Sequence, residues 1–65
     1  QDTTPQEVTI KAKLSGAIRC VTDTGREFLC LYTEPCKIGD KGKVEFVDLS
    51  HYGYAGWNFT PYKET

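Results

Sequence analysis

The stretch Glu7-Val8-Thr9-Ile10-Lys11-Ala12-Lys13-Leu14 alternates without a break. Val8, Ile10, Ala12 and Leu14 fall on one side and Thr9, Lys11 and Lys13 on the other. A period of two belongs to a strand with one face buried and the other wet. Working outward, Ser15-Gly16 interrupts the pattern and Ala17 to Thr22 resumes it, with Ile18 and Cys20 in one phase. Asp23-Thr24-Gly25 supplies turn chemistry, since Asp bonds the backbone ahead of it and Gly accepts positive φ. Arg26 to Tyr32 returns as a third strand with Phe28, Cys30 and Tyr32 opposite in phase to Leu29 and Leu31, so both of its faces are apolar and it belongs in the middle of a sheet.

Further on, Thr33 to Gly42 combines Pro35, Gly39 and Gly42 with charged residues and reads as a connection. Lys43 to Leu49 forms a fourth strand whose apolar phase moves from Val44 and Phe46 to Val47 and Leu49, the mark of a bulge or bend. Ser50 to Gly56 reads as a loop and Trp57 to Tyr62 as a fifth strand. Nowhere do apolar residues recur at three and four over a dozen positions, so no substantial helix is predicted.

The chain has 65 residues, 38% of them hydrophobic and 26% charged, a composition that folds and gives room for one domain. Residues 1–6 read as a flexible arm, 7–62 as the domain and 63–65 as a polar tail. A flat sheet of this size would leave an apolar face wet and two edges open, whereas curling hides both. The prediction is an all-β, five-stranded antiparallel barrel. In strand count and spacing it resembles the OB and SH3-like barrels, and no closer family is indicated. Strand phase places Val8, Ile10, Leu14, Ile18, Phe28, Cys30, Val44 and Phe46 in the core, closed by Trp57 and Phe59.

Eight basic against nine acidic residues give a net charge of −1, which is no footprint for gripping a phosphate backbone. No apolar run is long enough to span a membrane as a helix, so no membrane insertion is expected. The chain starts at Gln1 and lacks methionine, which reads as a processed product or an excised piece. Three cysteines, Cys20, Cys30 and Cys36, are read as reduced thiols, because Cys20 and Cys30 sit among apolar residues; one disulfide with a free thiol is the alternative.

Asp23-Thr24-Gly25 matches the tripeptide of aspartic proteases, but those enzymes need two carboxylates sharing a proton, and a hairpin turn accounts for these residues fully. Cys20, Cys30, Cys36 and His51 lack the short paired spacing of a zinc site. His51 reads as a solvated loop residue, and Asn58-Phe59-Thr60 as a formal glycosylation acceptor inside a strand. No catalytic residues, metal or cofactor are predicted.

The densest feature is aromatic: Tyr52, Tyr54, Trp57, Phe59 and Tyr62. Tyrosine and tryptophan supply contact area at low entropy cost. Tyr52, Tyr54, Trp57 and Tyr62 are therefore the expected partner-binding residues of a non-catalytic module that docks on a larger protein. Two alternatives stand beside it, an OB-like protein binding single-stranded nucleic acid by base stacking, and a small inhibitor or effector acting on an enzyme.

Overall fold

The computed structural model describes residues 3–32 and 35–62, with the backbone alone at Tyr32; the outermost arm residues and the tail at 63–65 lie outside them. Thr3–Pro5 has no regular structure and is exposed. Five strands follow: β1 (Gln6–Leu14), β2 (Ala17–Val21), β3 (Glu27–Tyr32), β4 (Lys41–Leu49) and β5 (Tyr54–Pro61), with one 3-10 turn at Ser50–Tyr52. They form a closed barrel in the order β1-β2-β3-β5-β4, with β4 returning to β1.

The barrel is mixed and not purely antiparallel, because β3 pairs with β5 in parallel through Cys30/Trp57, Leu31/Asn58 and Tyr32/Phe59. Strand parity requires this. Each of the other four pairings reverses direction, and a ring with an odd number of strands cannot alternate all the way round. The parallel pair falls where the β4–β5 hairpin folds back to fill the gap between β4 and β3.

β1 serves two neighbours. Gln6 to Thr9 pairs with β4, and Thr9 to Leu14 pairs with β2. Between them, at Ile10/Ala12, the register slips by one residue. Such a bulge bends a strand and increases its twist, as a small barrel requires, and reverses the side-chain phase beyond it. Leu14 therefore turns outward opposite Ala17 and is 43% exposed, not part of the core. Lys13 takes the position opposite Ile18, and its Nζ donates to the Cys36 carbonyl oxygen at 2.8 Å at the barrel's lower end. The bulge expected in β4 is absent from its pairing with β5, which stays in register from Gly42/Pro61 to Leu49/Tyr54.

The core is Val8, Ile10, Ile18, Cys20, Phe28, Cys30, Val44 and Phe59, with Cys36 and Trp57 packed against it. Six of these belong to the core predicted from strand phase and Phe59 closes it as expected; Cys20 joins it, while Leu14 and Phe46 do not. Phe59 fits because Gly42 has no side chain: a Cβ at Gly42 would lie 2.5 Å from Phe59 Cζ and would press on the Thr60 carbonyl oxygen. The β2–β3 turn forms where expected and Gly25 takes the positive φ, but Thr22, not Asp23, supplies the side-chain bond to the backbone ahead. Gly25, at φ 91°, donates its N–H to the Thr22 carbonyl at 3.0 Å, and Thr22 Oγ1 accepts from the Arg26 N–H at 3.1 Å.

Candidate functional site: the outer face and the projecting hairpin

β4 meets β1 only as far as Val44, and β5 meets β3 only from Trp57 onward. Beyond those points the two strands pair with each other alone, so Glu45–Leu49 and Tyr54–Gly56 stand out from the barrel's upper end. The 3-10 turn at the tip ends in Gly53, whose N–H returns to the Ser50 carbonyl at 3.0 Å. The expected loop at 50–56 thus shortens to 50–53, and Tyr54 sits on a strand.

The hairpin has two unlike faces. On the inner face Trp57 lies between Phe28 and Phe46, with ring centroids 4.8 and 5.5 Å away in edge-to-face geometry. The Arg26 guanidinium lies over the Phe28 ring, 4.8 Å from its centroid. This row closes the upper end of the barrel. Trp57 is half-buried and Phe46, at 38% exposure, is a lid residue outside the core. Phe46→Ala should therefore cost only about 1 to 2 kcal/mol, a partial transfer term plus one ring contact, and leave a cooperative melt at a lowered temperature.

The outer face gathers apolar side chains that strand phase excludes from the core. Leu29 and Leu31 of β3 are 63% and 42% exposed, and Leu49 of β4 is 47% exposed. Register places them on one surface: Arg19 is opposite Leu29, Leu31 is beside Asn58, and Leu49 is opposite Tyr54. Tyr54 lies along β5 over Gly56, where no side chain intervenes, and its hydroxyl donates to Asn58 Oδ1. Leu14 and Ala17 extend the surface downward. Its charges nearly cancel, with Arg19 4.0 Å from Glu27.

The four aromatics expected to bind a partner do not form one patch. Tyr52 is 85% exposed at the hairpin tip, Tyr54 is pinned on the outer face, and Trp57 faces inward. Tyr62 lies at the opposite end of β5, beside a surface depression also lined by Pro35, Lys37, Asp40, Lys41 and Pro61. Partial desolvation and the Glu7 carboxylate raise its hydroxyl above the ordinary value. Sequence reasoning passed over Leu29, Leu31 and Leu49. The signal for them is the doubly apolar β3, which points to a central strand and equally to an uncovered apolar face.

Asp23 is exposed in the β2–β3 turn and His51 in the hairpin tip. Among the described residues no three His, Cys, Asp or Glu side chains are grouped to hold a metal, and no helix is long and apolar enough to cross a membrane. Comparison with family models, with curated proteins and with solved structures finds no match to this chain.

Proposed function

We propose that this protein is a non-catalytic docking module that binds a larger protein through the outer face of β3 and the β4–β5 hairpin. The observation that carries this reading is the exposed Leu29 and Leu31 on the outward side of β3, with Tyr54 oriented on the same side of β5 and exposed Leu49 opposite it on β4. Single exposed leucines are ordinary on protein surfaces; several on one continuous sheet face mark an interaction surface. Tyr52 at the tip adds a ring at the edge of that surface.

The strand order and the parallel β3–β5 pair resemble the OB barrel more closely than SH3-like barrels, whose neighbouring strands are antiparallel. OB barrels bind ligands on the face of their second and third strands and on the loop between the fourth and fifth. In this chain the corresponding surface carries leucines and a cancelling Arg19–Glu27 pair, where a single-stranded nucleic-acid site would present cations and stacking rings. The aromatic row that could stack bases is turned inward to cap the barrel. A protein partner fits this chemistry better, and an inhibited enzyme would be one such partner.

The test is a photo-crosslinking residue placed at position 29, with position 11 as control, in cells of the source organism. A discrete adduct is expected from position 29 alone, and excess wild-type protein should compete it away. The Leu29→Ser/Leu31→Ser variant should keep the wild-type melting temperature within a few degrees and compete about thirtyfold less well, the scale of one or two hot-spot residues. Equal competition by that variant, or a tight complex with a short oligonucleotide at low salt, would overturn the reading.

A further inference from the structure

We propose that two copies of this chain pair through the free edge of β4, at Glu45–Leu49, in an antiparallel register centred on Val47. This edge lies on the side of β4 away from β5 and β3. Pairing there extends the sheet in its own plane and leaves Leu29 and Leu31 uncovered, so it is independent of the docking reading.

Which backbone groups reach the edge follows from the phase of the ladder. Tyr62 donates its N–H to the Lys41 carbonyl oxygen at 3.1 Å, one step beyond the Gly42/Pro61 pair. Hydrogen-bonded pairs alternate in an antiparallel ladder, and Pro61 has no N–H to give. Lys43, Glu45, Val47 and Leu49 therefore turn their N–H and C=O toward β5, while Gly42, Val44, Phe46 and Asp48 turn theirs the other way. The β1 side has the same phase: Ile10 donates to the Asp40 carbonyl oxygen at 2.9 Å, and Gly42 and Val44 are paired with Val8 and Gln6. β1 begins at Gln6, and Thr3–Pro5 has no regular structure. Among the described residues, no backbone group meets the outward N–H and C=O of Phe46 and Asp48.

A bare edge is commonly guarded by proline, lysine or a bulge. Glu45-Phe46-Val47-Asp48-Leu49 has none of these and stays in register with β5 throughout. Its pattern matches its own copy. Antiparallel pairing about Val47 sets Phe46 opposite Asp48 of the second copy and Asp48 opposite Phe46, so every free outward group finds a partner. Leu49 of the second copy falls opposite Glu45, and the added strand ends where Gln6 already holds Val44. Val47 meets Val47 across the twofold axis, a β-branched pair on the outer face. No carboxylate faces another, and Glu45 has Lys43 3.8 Å away as its own counter-ion. Other registers fail. Centring on Phe46 would drive the second copy's Asp48 onto Val44, which β1 occupies, and centring on Asp48 would set two carboxylates face to face. Centres between residues put outward groups against inward ones.

The contact is short, so association is expected only between roughly 10 µM and 1 mM. Sedimentation equilibrium of the purified, reduced chain over that range tests it without any other protein, which keeps the result separate from crosslinking at position 29. The average mass should rise toward that of a dimer. Val47→Lys and Val47→Glu each place like charges at the twofold centre and should stay monomeric, whereas an equimolar mixture of the two should dimerise again. Asp48→Pro deletes an outward N–H and no ladder bond within the chain, and should be a monomer with the wild-type circular dichroism spectrum. A wild-type chain that stays monomeric, a dimer that persists in folded Asp48→Pro, or folded charge variants that do not associate when mixed would overturn the pairing.

Discussion

Gly42→Ala is expected to leave little folded protein at room temperature. The added methyl would sit 2.5 Å from Phe59 Cζ and against the Thr60 carbonyl oxygen, which is backbone held in the β4–β5 ladder and has no rotamer to relieve the clash. Overpacking a small core costs about 1 to 3 kcal/mol where side chains can shift, and more where backbone must move. Domains near this size hold roughly 3 to 10 kcal/mol in total. Phe59→Ala should cost about 3 to 5 kcal/mol by the opposite route, a cavity beneath β4. The two lesions share one space, so the double variant should be more stable than the sum of the single effects predicts, by more than 1 kcal/mol. Urea melts of all four proteins, in a stabilising osmolyte if needed, measure this. Additive effects would show that the ring and the glycine do not compete for the same volume.

Much of this architecture is legible in the sequence itself. Strand phase places six of the eight core residues, because alternation over five or more positions leaves little ambiguity about which face is buried. Leu14 and Phe46 fail for different reasons. The bulge after Ile10 is hidden because Ala12 continues the apolar alternation, and a small side chain satisfies either phase. Phe46 lies in the correct phase but beyond the last β1 partner, where the hairpin has left the barrel and no wall remains to cover it. The parallel β3–β5 pair was deducible in part: five strands in a closed ring require a parallel neighbour, although parity does not say which one.

The candidate site was less legible, for a physical reason. The sequence marks aromatic rings as contact residues, yet the barrel uses Trp57 to seal its own end. A ring that is large enough to anchor a partner is also the best plug for a small core, and only tertiary position separates the two uses. Leu29 and Leu31 show the converse. An apolar residue facing out from a central strand is covered in a layered fold, but this five-stranded barrel, with no α-helix among its described residues, offers no second layer to cover it.

The stability of the reduced protein should fall steeply in alkaline solution because of the buried thiols. Burial, then the neighbouring Cys20 charge and its hydrogen bond, push the Cys30 thiol up to about 12 from its ordinary 9.0, and burial also raises Cys20. Both groups stay protonated in the fold at pH values where the unfolded chain has already released their protons. Their contribution is thus complete below pH 9 and is lost as pH rises from 9 toward 12. One group so shifted changes stability by at most about 1.4 kcal/mol per pH unit, so the coupled Cys20 and Cys30 thiols should remove roughly 2 to 3 kcal/mol between pH 9 and pH 11. In a domain this size that lowers the melting temperature by roughly 10 °C or more. Cys30→Val keeps a side chain of similar size in the core and deletes the titration. Melting curves under a phosphine reductant from pH 8 to pH 11 should therefore fall less steeply for the variant than for wild type. Tyrosine and lysine titration is common to both proteins, so parallel curves would remove Cys30 as the cause.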